Sequence, residues 1–450
     1  MHCELHRLWQ QVITTRGEAE ALVDAESGRA LTFLELEAQA LQWLEQHAGD
    51  DHCIEARGAV WCLAMTDRMD WMVVFLAAIK AGAVVLPIEA PTPSAIIDKA
   101  HQFGASILVD DSGVHHFDTG QRQPGYFLNK LTSGTTGDAK LLPFTEKEML
   151  SDGAQIMSTM EMTEADSNFA LIPLGHSYAL GNLVMPFFMS GIPIVMGSSP
   201  FPQVVLEELK RFPATILLIV PPIVKALSLA GDEDGAFRHV RLVISAGSQL
   251  MPKVAQGFLE ATGNRVHNFY GSSETGGICF DRLGHQCDAK QTVGTALDGV
   301  ELSISESQEI HVSSAAVCRA LYPEGVCLLH DYGWIDETGF LQLTGRHKDI
   351  IKISGRRVSI SEIESVLSTI SGVSDAFVTS RTGRSGEARL VALFSGALSP
   401  DTVREELAEH LPRWKLPKYL RRVDEISYTA RGKKDRATLE GVVDAISLRS

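Results

Sequence analysis

The chain has 450 residues, 45% hydrophobic and 21% charged, enough to bury two or three separate cores in an ordinary globular protein. Its 56 acidic against 40 basic residues give a formal net charge of −16, which argues against general nucleic-acid binding while allowing one anionic ligand in a locally basic pocket. Seven scattered cysteines, without C-x-x-C spacing or a histidine cluster, argue against a zinc centre or a disulfide framework and are expected as reduced thiols.

The opening stretch Met1–Glu18 has no basic segment followed by an apolar core, so no signal peptide is expected and the cytoplasm is the expected compartment. Asp70–Ala81 reads as a buried helix closed by Gly82, followed by a strand over Ala83–Ile88. Ile107–Asp110 and Tyr126–Leu131 read as further strands. Two apolar stretches, Trp71–Ile88 and Phe169–Pro200, are interrupted by Lys80 and Gly82, and by Pro173, His176, Asn182, Pro186 and Pro193. They are therefore expected as buried elements and not as transmembrane segments.

From 140 to 300 the alternation is regular. Thr145 and Glu148 form a capping box that opens a helix. Strands over Asn168–Ile172, Ile192–Met196, Thr215–Val220 and Arg241–Ser245 alternate with helices such as Gln203–Phe212 and Pro252–Thr262. This pattern predicts parallel sheets covered by helices. After the turn-rich stretch Thr344–Asp349 comes a second, smaller α+β unit. It comprises a helix capped by Ser361 with Glu364, strands Val373–Thr379 and Leu390–Ser395, a helix Asp401–His410, and a last helix from Asp435.

The densest chemical signal is Leu131-Thr132-Ser133-Gly134-Thr135-Thr136-Gly137-Asp138-Ala139-Lys140. Glycines let backbone N–H groups turn inward, hydroxyls add donors, and Lys140 adds positive charge, as a polyphosphate requires. It is not a P-loop, because Ala139 stands where that motif needs glycine before its lysine.

Thr132–Lys140 resembles the signature phosphate loop of the adenylate-forming superfamily, which includes acyl- and aryl-CoA synthetases, luciferases and peptide-synthetase adenylation domains. The resemblance continues in order. Leu31–Leu36 and Lys80–Pro87 resemble its N-terminal structural segments, and Ser245-Ala246-Gly247 and Tyr270-Gly271-Ser272-Ser273-Glu274-Thr275 its adenine-binding strands. Asp331, Gly345-Arg346 and Gly432-Lys433 complete the set. Pro173-Leu174-Gly175-His176-Ser177-Tyr178-Ala179-Leu180 resembles the acyl-site segment of acyl- and aryl-CoA synthetases. It lacks the Phe-Asp pair that holds an α-amino group, and its Gly175–Ala179 core is one glycine short of a hydrolase nucleophile elbow.

The resemblance implies an α/β fold: a large N-terminal domain of residues 1–346, with two helix-covered β-sheets and a distorted β-barrel, and a small mobile α+β domain of residues 347–450 hinged near Lys348. It implies ATP, bound as AMP after the first step, held by Thr132, Ser133, Gly134, Thr135, Thr136, Gly137, Ala246, Gly247, Tyr270, Gly271, Ser273, Asp331, Arg346 and Lys352. Tyr270 would offer its ring to adenine, Asp331 would accept from the ribose hydroxyls, and Glu274 would hold Mg²⁺. Lys433, Lys140 and His176 are the implied catalytic residues, with Lys433 bridging the carboxylate and α-phosphate. The implied activity is ATP-dependent conversion of a fatty or aromatic carboxylic acid to its acyl-AMP, then transfer to the thiol of CoA. Two alternatives remain open, an acyl carrier protein as acceptor and a nucleotide-binding protein without catalysis. The chain departs from the family pattern at Ala139, Ser273, His330 and Arg431, and Ile88–Lys130 and Glu301–His330 are short.

Overall fold

The computed structural model describes residues 3–47, 57–88, 93–118, 120–133, 139–288, 292–346, 350–353, 356–382, 388–429 and 434–447. Two sheets organise the large unit. The first has nine strands, in the order 295–296, 276–280, 266–272, 242–245, 216–219, 168–170, 194–196, 20–24 and 30–32. Its six inner strands, from 266–272 to 20–24, pair in parallel, and only the edges are antiparallel. The second has six strands, in the order 113–116, 107–110, 60–64, 84–87, 128–133 and 139–144. The alternation of β-branched runs with helices dictates this parallel pairing, because each crossover helix covers a sheet face.

The helix Arg68–Ala81 packs into the main core, and only Arg68, Asp70 and Lys80 escape burial. Asp67 caps its first turn by accepting from the amides of Met69 and Asp70, and Gly82 ends it at φ 70°. An all-round apolar helix of this kind needs protein on every side. The stretch 169–200 breaks into short strands and helical turns, including a π-helical turn at Leu180–Val184. No helix among the described residues is long and apolar enough to cross a membrane. Cys62, Cys279, Cys287, Cys318 and Cys327 are all buried and free.

The capping box at Thr145 is present in both directions and opens the helix Glu146–Thr159. A four-stranded antiparallel sheet, in the order 300–304, 309–314, 326–335 and 341–346, stands where a barrel is expected. Beyond it a two-stranded ribbon, Ile350–Ile353 with Arg356–Ser359, leads into a unit with its own apolar clusters. There the sheet of strands Val373–Thr382, Ala388–Gly396 and Tyr419–Arg422 packs with the helices Ile360–Thr369, Pro400–His410 and Arg436–Ser447. One cap differs from expectation. Ser359 caps the helix that starts at Ile360, accepting from the Glu362 amide, so Ser361 and Glu364 lie inside it. The ribbon ladder runs to Ser359 and holds the chain extended up to that residue.

Candidate active site

In an open parallel sheet the neighbourhood of the strands' carboxyl ends, where strand order reverses, is the natural ligand crevice. The nine-stranded sheet reverses at 168–170, with 194–196 on one side and 216–219 on the other. A cavity of about 3390 Å³ opens there, several times the roughly 300–1,000 Å³ of a single-ligand pocket. Its walls include residues after each carboxyl end, among them Pro173, Gly197, Ala246 and Tyr270, and residues of the small unit such as Ser361 and Lys434. Chain segments far apart in sequence therefore share one cleft.

The strand Leu128–Ser133 reaches this cleft and returns as Ala139–Phe144, with Thr132 opposite Lys140 and Ser133 opposite Ala139. The two ends of the phosphate-loop motif are thus paired in an antiparallel ladder, in keeping with its not being a P-loop, where a helix would follow. Thr132 lines the cleft, whereas Lys140 is exposed on the partner strand and is not among the lining residues described. Gly134, Thr135, Thr136 and Gly137 lie outside the described residues.

Tyr270, 8% exposed, ends the inner part of strand Val266–Ser272, and its hydroxyl donates to Oδ2 of Asp331, itself 8% exposed. Asp331 sits opposite Arg346 in the ladder between 326–335 and 341–346, so the expected nucleotide contacts Tyr270, Asp331 and Arg346 converge. Gly247 follows Ala246 at φ 90°, a conformation that favours glycine. Gly271 answers a different demand, since a Cβ there would lie 2.7 Å from the Gly276 carbonyl oxygen. Glu274 is fixed at both ends of its peptide: its N–H donates to Ser272 Oγ at 3.2 Å, and its carbonyl accepts from the Cys318 amide at 2.9 Å. Both Glu274 and Ser273 line the cleft.

His176 caps a short helix, its Nδ1 accepting from the Tyr178 amide at 3.3 Å. An acceptor at Nδ1 puts the ring proton of the neutral imidazole on Nε2. Ser177 Oγ donates to Ser273 Oγ at 3.2 Å, tying the acyl-site segment to the Tyr270–Thr275 segment. The Tyr178 hydroxyl donates to the Ile244 carbonyl, its ring stacks on Phe269, and burial raises its ionisation well above the ordinary phenol range.

In the small unit, Lys434 Nζ binds Glu364 Oε2 at 2.6 Å and also donates to the Ala376 carbonyl. Of the adjacent lysines 433 and 434, the second is therefore committed to the small domain. Lys433 and Lys348 lie outside the described residues. Lys352 pairs through its backbone with Arg357 in the ribbon. Thr344 and Ser359 join the two units, the Ser359 hydroxyl donating to the Thr344 carbonyl at 2.7 Å.

Sequence reasoning missed two charged residues, Lys130 and Asp152, which are 3% and 2% exposed and both line the cleft. The signal was available: Lys130 is the only charged residue of the strand Leu128–Ser133, and Asp152 falls on the Met149–Ile156 stripe of its helix. Burial pulls Lys130 down from the ordinary lysine value while Asp152 pushes it back up. Burial raises Asp152, which Lys130 and the Gly277 amide, donating at 2.9 Å, oppose. Gly276 is at φ 72°, and a Cβ there would lie 2.2 Å from Asp152 Oδ1. The space left by that glycine is filled by the carboxylate.

Residues 130–316 match the family model described as AMP-binding enzyme, and residues 362–433 match that of the AMP-binding enzyme C-terminal domain. A probable CoA ligase, CCL5, of Humulus lupulus is 24% identical over 478 residues, spanning 88% of this chain and 85% of that protein. A 3-hydroxybenzoate/4-hydroxybenzoate CoA ligase of Thauera aromatica is 25% identical over 404 residues, spanning 80% and 73%. The fold is shared with the anthranilate CoA ligase AuaEII, solved with anthranoyl-AMP, at a TM-score of 0.83 and 20% identity over 98% of both chains.

Proposed function

Because the chain belongs to the AMP-binding enzyme family, we propose that it is an AMP-forming acid–CoA ligase, which activates a fatty or aromatic carboxylic acid as acyl-AMP and passes the acyl group to the thiol of CoA. One observation carries the reading. A single cleft is lined by Thr132 at the root of the hydroxyl–glycine hairpin, by Glu274, by the tethered pair Tyr270–Asp331, and by the His176 segment.

In this reading the carboxylate oxygen attacks the α-phosphorus of ATP and pyrophosphate leaves. The hairpin's amides and hydroxyls hold the phosphates, with Lys140 at its base adding positive charge. Tyr270 stacks on adenine, with Ala246, Gly247 and Gly271 at the base's edge. Asp331 and Arg346 hold the ribose, and Lys352 supplies a second cation on the nucleotide side. The Tyr270 hydroxyl fixes one oxygen of Asp331 and so restricts its rotamer. Lys433 brings an ammonium to the charge that builds between carboxylate and α-phosphate. Glu274, a hard oxygen ligand, suits Mg²⁺, which when bound neutralises phosphate charge; phosphates and water would complete its shell. His176 shapes the carboxylate entrance beside Ser177 and Ser273.

The thiol step needs the small domain to present a different face, and residues 347–349 around Lys348 are the pivot in this reading, dividing the chain into 1–346 and 347–450. A closed site keeps water from the mixed anhydride. The cytoplasm, where ATP and CoA coexist, is the compartment this chemistry needs.

The test is ATP–pyrophosphate exchange with a panel of acids, followed by CoA or a phosphopantetheinylated carrier protein as acceptor. Acid-dependent exchange with acyl-CoA as product supports the reading. Transfer to the carrier alone replaces CoA by the carrier, and absence of exchange with every acid overturns catalysis.

A further inference from the structure

Three polar side chains that line the cleft, Lys130, Asp152 and Asn182, are almost wholly buried. Lys130 lies on the strand Leu128–Ser133, two residues before Thr132 and on the same face. That places it roughly 7 Å along the strand from Thr132. Its side chain is buried against the Phe144 ring face, with Nζ 4.2 Å from the centroid, and Nζ has no hydrogen-bond partner among the described residues. Asp152 is packed close by: Gly181 approaches so tightly that a Cβ would lie 2.8 Å from Oδ2, and Oδ1 accepts from Gly277. Asn182, next in the π-helical turn, donates through Nδ2 to the Tyr178 carbonyl and leaves Oδ1 without a donor. All three line the cleft.

We propose that Lys130 and Asp152 select a carboxylic acid that carries a hydroxyl group remote from its carboxylate. The hydroxyl oxygen accepts from Lys130 Nζ, and its hydrogen is donated to the Asp152 carboxylate. This rests on the acid-activating reading of the cleft and narrows it. A plain hydrocarbon end would leave the buried Nζ unsatisfied, the costly arrangement for a group removed from water. A second carboxylate would face Asp152 as a like charge, and an ammonium would face Lys130. A hydroxyl alone is both donor and acceptor and adds no charge to a site where Lys130 already faces Asp152, with Glu274 and Glu148 acting on it as well. Gly181 and Gly276 both come so close to the Asp152 carboxylate that no larger side chain fits at either position without a shift.

Matched pairs of acids test this by ATP–pyrophosphate exchange: ring-hydroxylated against unsubstituted benzoic acids, and terminally hydroxylated against plain medium-chain fatty acids. The hydroxylated member of at least one series is expected to win by about tenfold or more in kcat/KM, as in sites built to bond a substrate hydroxyl. Lys130→Met, close to isosteric and free of the buried ammonium, is expected to collapse that ratio toward unity and, by leaving Asp152 buried without its cation, to lower the melting temperature. Asp152→Asn should narrow the ratio as well, and it serves if Lys130→Met fails to fold. An ATP-induced rise in melting temperature certifies each variant as folded. Exchange without hydroxyl preference in the native protein, or an equal loss for both members in the variants, overturns the hydroxyl site and leaves acid activation standing. No exchange with any acid overturns the activation reading and this one with it.

Discussion

The hydroxyl of Tyr270 donates to Oδ2 of Asp331, joining the last inner strand of the nine-stranded sheet to the four-stranded antiparallel sheet at the mouth of the cleft. The ring that would stack on a base and the carboxylate that would hold a ribose are thus one unit. Tyr270→Phe keeps the ring and removes the donor from a buried carboxylate, so destabilisation by about 1–3 kcal/mol is expected, read by chemical denaturation. The KM for ATP in pyrophosphate exchange should rise by less in Tyr270→Phe than in Tyr270→Ala, which loses the ring too.

Lysines 433 and 434 should separate chemistry from stability. Lys433→Ala is expected to slow exchange by ~10²–10³, the typical loss of one charge-stabilising donor, while transfer from preformed acyl-AMP to CoA continues. Lys434→Ala strands Glu364, which Lys434 binds at 2.6 Å. It should lower the melting temperature of the small domain, with the exchange rate of the folded fraction far less affected than in Lys433→Ala. Equal loss of both half-reactions in Lys433→Ala would contradict its assigned role.

Gly276→Ala places a Cβ 2.2 Å from Asp152 Oδ1 at a backbone angle of φ 72°. The left-handed conformation alone costs an alanine about 1–2 kcal/mol, and the clash adds to it. Soluble yield and melting temperature should both fall, and Asp152→Ala in the same chain should recover part of the loss by removing the clashing carboxylate. Absence of any recovery would mean that the carboxylate does not occupy that space.

Burial holds the His267 imidazole below its ordinary value of 6.5, an effect offset in part by the hydrogen bond from Nδ1–H to the Asp281 carbonyl at 2.9 Å. The unfolded chain therefore binds a proton at a higher pH than the folded one. Stability from this group is complete above about 6.5 and is lost as pH falls from there through the folded value. The melting temperature of the native protein should drop more steeply over that interval than that of His267→Gln, measured in matched buffers.

Much of the fold was legible because local rules and tertiary packing agree. The helix closed by Gly82, the capping box at Thr145 and the strand Ile107–Asp110 stand where their residues put them. The misplaced cap in the small unit has a simple cause. Ser359-x-x-Glu362 and Ser361-x-x-Glu364 are equally good start signals two residues apart, and a ladder invisible in the local pattern decides between them. In the site, Tyr270, Asp331 and Glu274 could be found from sequence because they sit in recognisable strings. Lys130 and Asp152 sit in no such string, and each gains meaning only from a neighbour distant in the chain. The same limit explains Gly276, whose requirement comes from a helix more than a hundred residues earlier.

The ladder that pairs Asp331 with Arg346 ends there, and the next ladder begins at Ile350. In the proposed domain swing both ladders can stay zipped, the change falling between them. Hydrogen bonds such as Ser359 to Thr344 and Lys225 to Ser374 would yield for about 0.5–1.5 kcal/mol each. In that reading, inserting or deleting residues between Arg346 and Ile350 should misplace Lys433 relative to the cleft and slow pyrophosphate exchange without unsettling the fold on either side.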